Sequence, residues 1–146
     1  MQFSITIIII IITVVISFGA FNNPRIMDDL IFYPPAITKR NQWYRFLTSG
    51  FLHADYMHLF FNMLTLYFFG EVMEKFYEVY LCKLGFIIFY FGGIIVSEIP
   101  SYIKHRNNYH YRSLGASGGV SAVVFAYILF DPWQWFTFPP IPAILY

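Results

Sequence analysis

The side chains that could do chemistry in this chain stand inside otherwise apolar runs. Ser117 lies between Gly115 and the pair Gly118 and Gly119, at the head of the run "SLGASGGVSAVVFAYILF" from Ser113 to Phe130. A serine so placed is either a small residue that lets helices pack closely or a nucleophile. The spacing Gly118, Ala122, Ala126 supports the first reading, because small residues one turn apart let a second helix approach in lipid. Gly115, Ser117 and Gly119 also match G-x-S-x-G, the nucleophile elbow of soluble hydrolases. That elbow needs a strand–turn–helix with an acid and then a histidine downstream. Here the only later acid is Asp131, and no histidine follows Ser117.

His58 and Asn62 are four residues apart, so on a helix they project from one face and can converge on one bound group. His53 lies five residues before His58, off that face, and is expected at the junction between loop and helix. Two other readings compete. His58 and Asn62 could bond across helices as structural glue, contributing about a kcal/mol or less. They could also hold a haem or metal, but no Asp, Glu or Cys lies nearby within the same apolar segment. Cys82, the single cysteine, excludes an internal disulfide and any multi-cysteine metal site, and its apolar surroundings read as packing.

The elements that must position these residues are set by composition. The chain is 58% hydrophobic and only 12% charged, against roughly 25% charged in a soluble domain. Its formal charge of +1 leaves no basic stripe for phosphates, so nucleic acid is not an expected partner and a lipid bilayer is. From Phe3 to Phe21 there is no formal charge, a stretch of roughly 28 Å as a helix, about one bilayer core. It has neither the basic start nor the small-residue cleavage site of a signal peptide. Its β-branched residues would favour a strand in water, but in lipid the backbone must satisfy itself and helix wins.

A proline-rich, charged stretch follows Phe21 and reads as a long loop with interfacial segments. Further spans are predicted over 57–73, 79–99 and 114–130. In the second of these, Lys83 and Glu98 lie near the ends, where charged groups can snorkel to the interface. The polar "PSYIKHRNNYHYR" separates the last two, and Asp131 with Pro132 ends the last. Trp133, Trp135 and Phe136 read as an aromatic belt, and "PPIPAILY" starts a further apolar run. The expected fold is therefore all-α: a polytopic transmembrane helix bundle of four full spans plus the start of a fifth, in one integral membrane domain over 1–146. Ending within an apolar run suggests a longer chain cut short.

Taken together, these features resemble the rhomboid intramembrane serine proteases. Trp43 and Arg45 in "WYR" look like the family's first-loop element, and "HADYMHLFFN" matches H-x-x-x-x-H-x-x-x-N through His53, His58 and Asn62. Gly70 and Glu74 in "FGEVMEKF" resemble the Gly and Glu that follow that helix. "GASG" matches G-x-S-G through Gly115, Ser117 and Gly118. The resemblance implies six core helices and a Ser–His dyad without metal or organic cofactor. Ser117 would be the nucleophile toward a peptide bond in or near a substrate's transmembrane segment. The Ser117 N–H, His58 and Asn62 would stabilise the oxyanion, and His53 would support the loop and water side of the pocket. The family's base is a histidine on the sixth helix, so the 146 residues alone are expected to be inactive. With the N-terminus inside, as the resemblance implies, Arg25, Lys39, Arg40, Arg45, Lys104, Arg106 and Arg112 lie outside against Lys75 and Lys83 inside, contrary to the positive-inside tendency. The competing class is a rhomboid-like protein that binds transmembrane clients without cutting them. A structural membrane protein with coincidental motifs is the third reading. The expected location is a bacterial inner membrane.

Overall fold

The computed structural model describes residues 4–133. Trp135, Phe136 and the expected fifth apolar run lie outside them, whereas Trp133 is within them and exposed. Among the described residues the chain is helical without strands, and one isolated antiparallel bridge joins Phe32 to Ser113.

Helix α1 (Ile5–Asn22) is capped by Ser4, whose side chain accepts the Ile7 N–H. Its inward face is Thr6, Ile9, Thr13, Ser17 and Ala20, while Ile8, Ile11, Ile12, Val15 and Phe18 point outward. Water would demand the reverse. Small and polar residues inside with branched aliphatics outside is the arrangement lipid favours, since the outer face meets hydrocarbon and the inner face needs close approach. Gly70 shows this closeness: a Cβ there would lie 2.8 Å from the Thr6 methyl.

The expected loop after α1 is instead a chain of short helices. Asn23 caps α2 (Pro24–Leu30), and Pro34 with Pro35 opens α3 (Pro34–Arg40), where the missing N–H groups of proline are orphans in any case. Asn41 ends α3 in the left-handed region at φ 55°. After α4 (Arg45–Thr48), a 3₁₀ turn over Ser49–Phe51 leads toward the histidines. Arg45 orders this region. Its side chain is buried and donates to the Gln42 side chain at 2.7 Å and to the Asp28 and Ile31 carbonyls at 2.8 and 2.7 Å. Trp43 stays on the surface, stacked on Phe46.

Helix α5 (Tyr56–Tyr80) runs seven residues past the expected end at Met73, so Gly70 and Glu74 lie within it and not after it. Helix α6 (Lys83–His105) starts four residues later than expected and continues through Pro100 into the stretch taken for a polar loop. Between them sit only Leu81 and Cys82. Cys82 is exposed with φ 70°, so it turns the corner and does not pack in the core. Glu98 is also misread as a snorkelling residue. It continues the inward row Phe86, Tyr90, Ile94 at four-residue spacing and is only 5% exposed. Helix α7 (Ala116–Phe130) lies close to its expected span.

The core joins Met63, Leu66, Phe69 and Met73 of α5 to Phe86, Tyr90 and Ile94 of α6 and Val120, Val123 and Tyr127 of α7. Small residues bring α6 and α7 together: a Cβ on Gly93 would stand 2.7 Å from Ala122 Cβ, and one on Gly118 would overlap Ser97 Oγ. Helices α1 and α6 are long and apolar enough to cross a membrane. Helix α7 is apolar but has 15 residues. Helix α5, roughly 37 Å long, carries Glu71, Glu74, Lys75 and Glu78 in its second half.

Candidate active site

The segment Leu52–Asp55 links the 3₁₀ turn to α5 and holds His53 fully buried. Asp55 caps α5 by accepting the His58 N–H at 2.8 Å, which fixes the first turn and so the direction of the His58 ring. The two imidazoles meet edge to face with centroids 5.1 Å apart.

The hydrogen bonds decide the His53 tautomer. Ser17 has one hydroxyl proton, and it goes to the Phe51 carbonyl at 2.7 Å. The 3.0 Å contact between Ser17 Oγ and His53 Nδ1 therefore needs the imidazole to donate. That leaves Nε2 as a bare acceptor, buried and without a partner among the described residues. Ser17 was not singled out from the sequence, though it stands in the small polar row Thr6, Thr13, Ser17 within the isoleucine run.

Burial, then the neighbouring His58, lowers the His53 pKa from 6.5 to about 4, with Asp55 opposing. The unfolded chain thus takes up this proton at higher pH than the folded one. Stability from this residue is complete above about pH 6.5 and is lost as pH falls toward 4. Thermal melts of the detergent-solubilised protein should drop across that window, and His53→Asn should flatten the drop. An equal drop in the variant would assign it to other groups.

His58 Nδ1 faces the Ala54 N–H at 3.5 Å, a long contact that favours the proton on Nε2 and so makes that nitrogen a donor. One turn on, Asn62 Nδ2 is buried with no acceptor among the described residues. A buried amide donor without a partner is costly. Together these are two donors on one face of α5, suited to meeting a developing negative oxygen.

Ser117 stands on α7, which packs directly on α5. Gly115 is the N-cap, and its carbonyl accepts the Gly118 N–H at 3.1 Å. The Ser117 N–H belongs to the first turn, where no intrahelical acceptor exists. Its hydroxyl is exposed and unbonded among the described residues, opening onto a groove between α6 and α7 of about 570 Å³. Ser97, Glu98, Ser113, Gly115 and Gly118 share that groove, but His53, His58 and Asn62 do not. The structure thus brings His53 and His58 into contact with Asn62 one turn along, and it places Ser117 on the adjoining helix without a direct bond to any of them. Among the described residues no group of three or more His, Cys, Asp or Glu could hold a metal ion.

The family described as "Rhomboid domain" matches residues 40–146. The chain is similar to the "Putative rhomboid protease YdcA" of Bacillus subtilis (strain 168), 31% identical over 87 residues, which are 60% of this chain and 41% of the relative. It is 37% identical over 84 residues to "RHOMBOID-like protein 4" of Arabidopsis thaliana, covering 58% of this chain and 20% of the relative. "RHOMBOID-like protein 12, mitochondrial", from the same plant, is 29% identical over 126 residues, 73% of this chain and 36% of the relative. The chain thus spans at most about two-fifths of the length of these relatives. No solved structure matches it. The bacterial inner membrane expected above is narrower than a likeness that extends to a mitochondrial relative.

Proposed function

Because the chain belongs to the rhomboid family, whose members are integral membrane proteins, we propose that it carries the nucleophile and oxyanion half of an intramembrane serine endopeptidase. The observation that carries this reading is the buried Asn62 Nδ2, without an acceptor among the described residues, one turn from His58. In the proposed reaction Ser117 Oγ bonds to the scissile carbonyl carbon, and its proton passes to a histidine base that the family resemblance puts on a later helix. The carbonyl oxygen takes the negative charge and meets the Ser117 N–H, His58 Nε2–H and Asn62 Nδ2. Such donors are worth most in a low-dielectric site. The amine leaves with that proton, and water then releases the acyl group from Ser117. In the membrane, α1, α5, α6 and α7 are the four spans of this half, and the substrates are transmembrane segments.

The test uses the full-length protein reconstituted with a single-pass membrane substrate bearing small and helix-breaking residues. Asn62→Ala and His58→Ala should each lower kcat by about 10²–10³-fold, with KM and melting temperature nearly unchanged. Unchanged kcat, or a loss that only follows unfolding, would remove the oxyanion role. A second reading is a rhomboid-like protein that holds transmembrane clients without cutting them. Under it, both variants would alter client capture and no peptide bond would be cut.

A further inference from the structure

We infer that Glu98 is a positioning residue for the turn that presents Ser117, an inference that rests on the proteolytic reading above. Glu98 sits at the end of the inward row of α6, 5% exposed. A carboxyl group is kept in such a place only with hydrogen-bond partners. Its partner is the Ser113 hydroxyl, which lies 3.2 Å from Oε2 and 3.4 Å from Oε1.

Ser113 opens the segment leading into α7, and that segment is held from three directions. Ser113 exchanges both backbone hydrogen bonds with Phe32, each 3.1 Å. The Gly115 N–H donates to the Ser49 carbonyl at 3.1 Å, tying the segment to the 3₁₀ turn. The Glu98–Ser113 bond ties it to α6. At Gly115 two of these supports close around the backbone: a Cβ there would lie 2.7 Å from Ser49 Oγ and 3.0 Å from Glu98 Oε1. Two residues later comes Ser117, so a shift of this turn moves the nucleophile and its N–H together. Displacements of about 1 Å are enough to cost catalysis heavily. Glu98 acts through Ser113 and Gly115 on the placement of Ser117 and does not itself touch the reacting atoms.

Hydrogen exchange on the full-length protein tests this together with steady-state cleavage of the membrane substrate. Glu98→Leu should speed exchange at the Ser113 and Gly115 amides by about tenfold while α1 and α5 keep their protection. Over the same change, kcat should fall about tenfold at constant KM. Ser113→Ala, which leaves α6 intact, should give the same local effect, and the double variant should add nothing to it. Glu98→Gln, which keeps an acceptor for Ser113, should restore most of the protection and of kcat. The inference is overturned if exchange at Ser113 and Gly115 is unchanged in Glu98→Leu, or if kcat falls while Ser113→Ala has no effect. If the wild-type protein cleaves nothing, the proteolytic reading fails by itself, and the exchange results still decide whether Glu98 holds the turn.

Discussion

Ser117→Ala leaves cleavage of a reconstituted membrane substrate at background, a loss of about 10⁵–10⁶-fold in kcat, and abolishes labelling by a serine-directed phosphonate. The expected size follows from what the side chain supplies. Without Oγ there is no covalent acyl intermediate, and only oxyanion donors and substrate binding remain, which keep a small fraction of catalysis. Among the described residues Ser117 is exposed, so removing its oxygen leaves no cavity and no orphaned partner among them. The close contacts between α6 and α7 run through Gly93, Gly118 and Ala122. Ser117→Ala should therefore melt within a degree or two of the wild type, and intact mass should show the phosphonate on wild-type protein alone. If the wild type is not labelled and the variant binds clients equally well, the client-holding reading takes the place of proteolysis. If the variant still cuts, the nucleophile lies elsewhere.

The second large effect is on stability. Glu74 of α5 is 5% exposed and accepts the Ile5 and Thr6 N–H groups at 2.7 and 2.8 Å. These are first-turn donors of α1 with no intrahelical acceptor, and a carboxylate beside them also meets the positive end of the helix dipole. Ser4 lies 2.7 Å from Glu71 and 3.0 Å from Glu74, and having one hydroxyl proton it serves the nearer carboxylate. Glu74→Ala strips two backbone donors of their acceptor beside a close helix contact at Gly70 and Thr6. The expected cost is about 3 kcal/mol or more, read as a fall of roughly 10 °C in melting temperature. Glu74→Gln should fall between, since it keeps one oxygen but turns an NH₂ toward a donor. A melt unchanged in Glu74→Ala would mean that α1 is not held by this cap.

Much of this was legible one segment at a time. The uncharged run of α1, the four-residue spacing of His58 and Asn62 and the small residues around Ser117 are local patterns. They led to the family that the comparison shows. Helix ends were less legible. Periodicity carried no warning that α5 continues past Met73 through three charged residues to Tyr80, because Glu74 is satisfied by α1, nearly seventy residues earlier in the chain. The span expected to end at Ile99 continues as α6 through Pro100 to His105, as membrane helices tolerate when neighbours satisfy the freed backbone.

What the sequence alone determined is the solvent, the helical class and the identity of the residues that could do chemistry. Lipid forces the backbone to satisfy itself, and side-chain spacing on a helix is fixed by its pitch. What only the tertiary structure decided is which hydrogen-bonding atoms remain free. Arg45 is committed to the Asp28 and Ile31 carbonyls, His53 donates to Ser17, and Glu98 turns inward to Ser113. Asn62 Nδ2 is left with no acceptor among the described residues. Each outcome depends on a partner between 14 and 36 residues away in the chain or on the lack of one. Burial then sets how much an unmet donor costs, and neither the partner nor the burial is written in the pattern around a single residue.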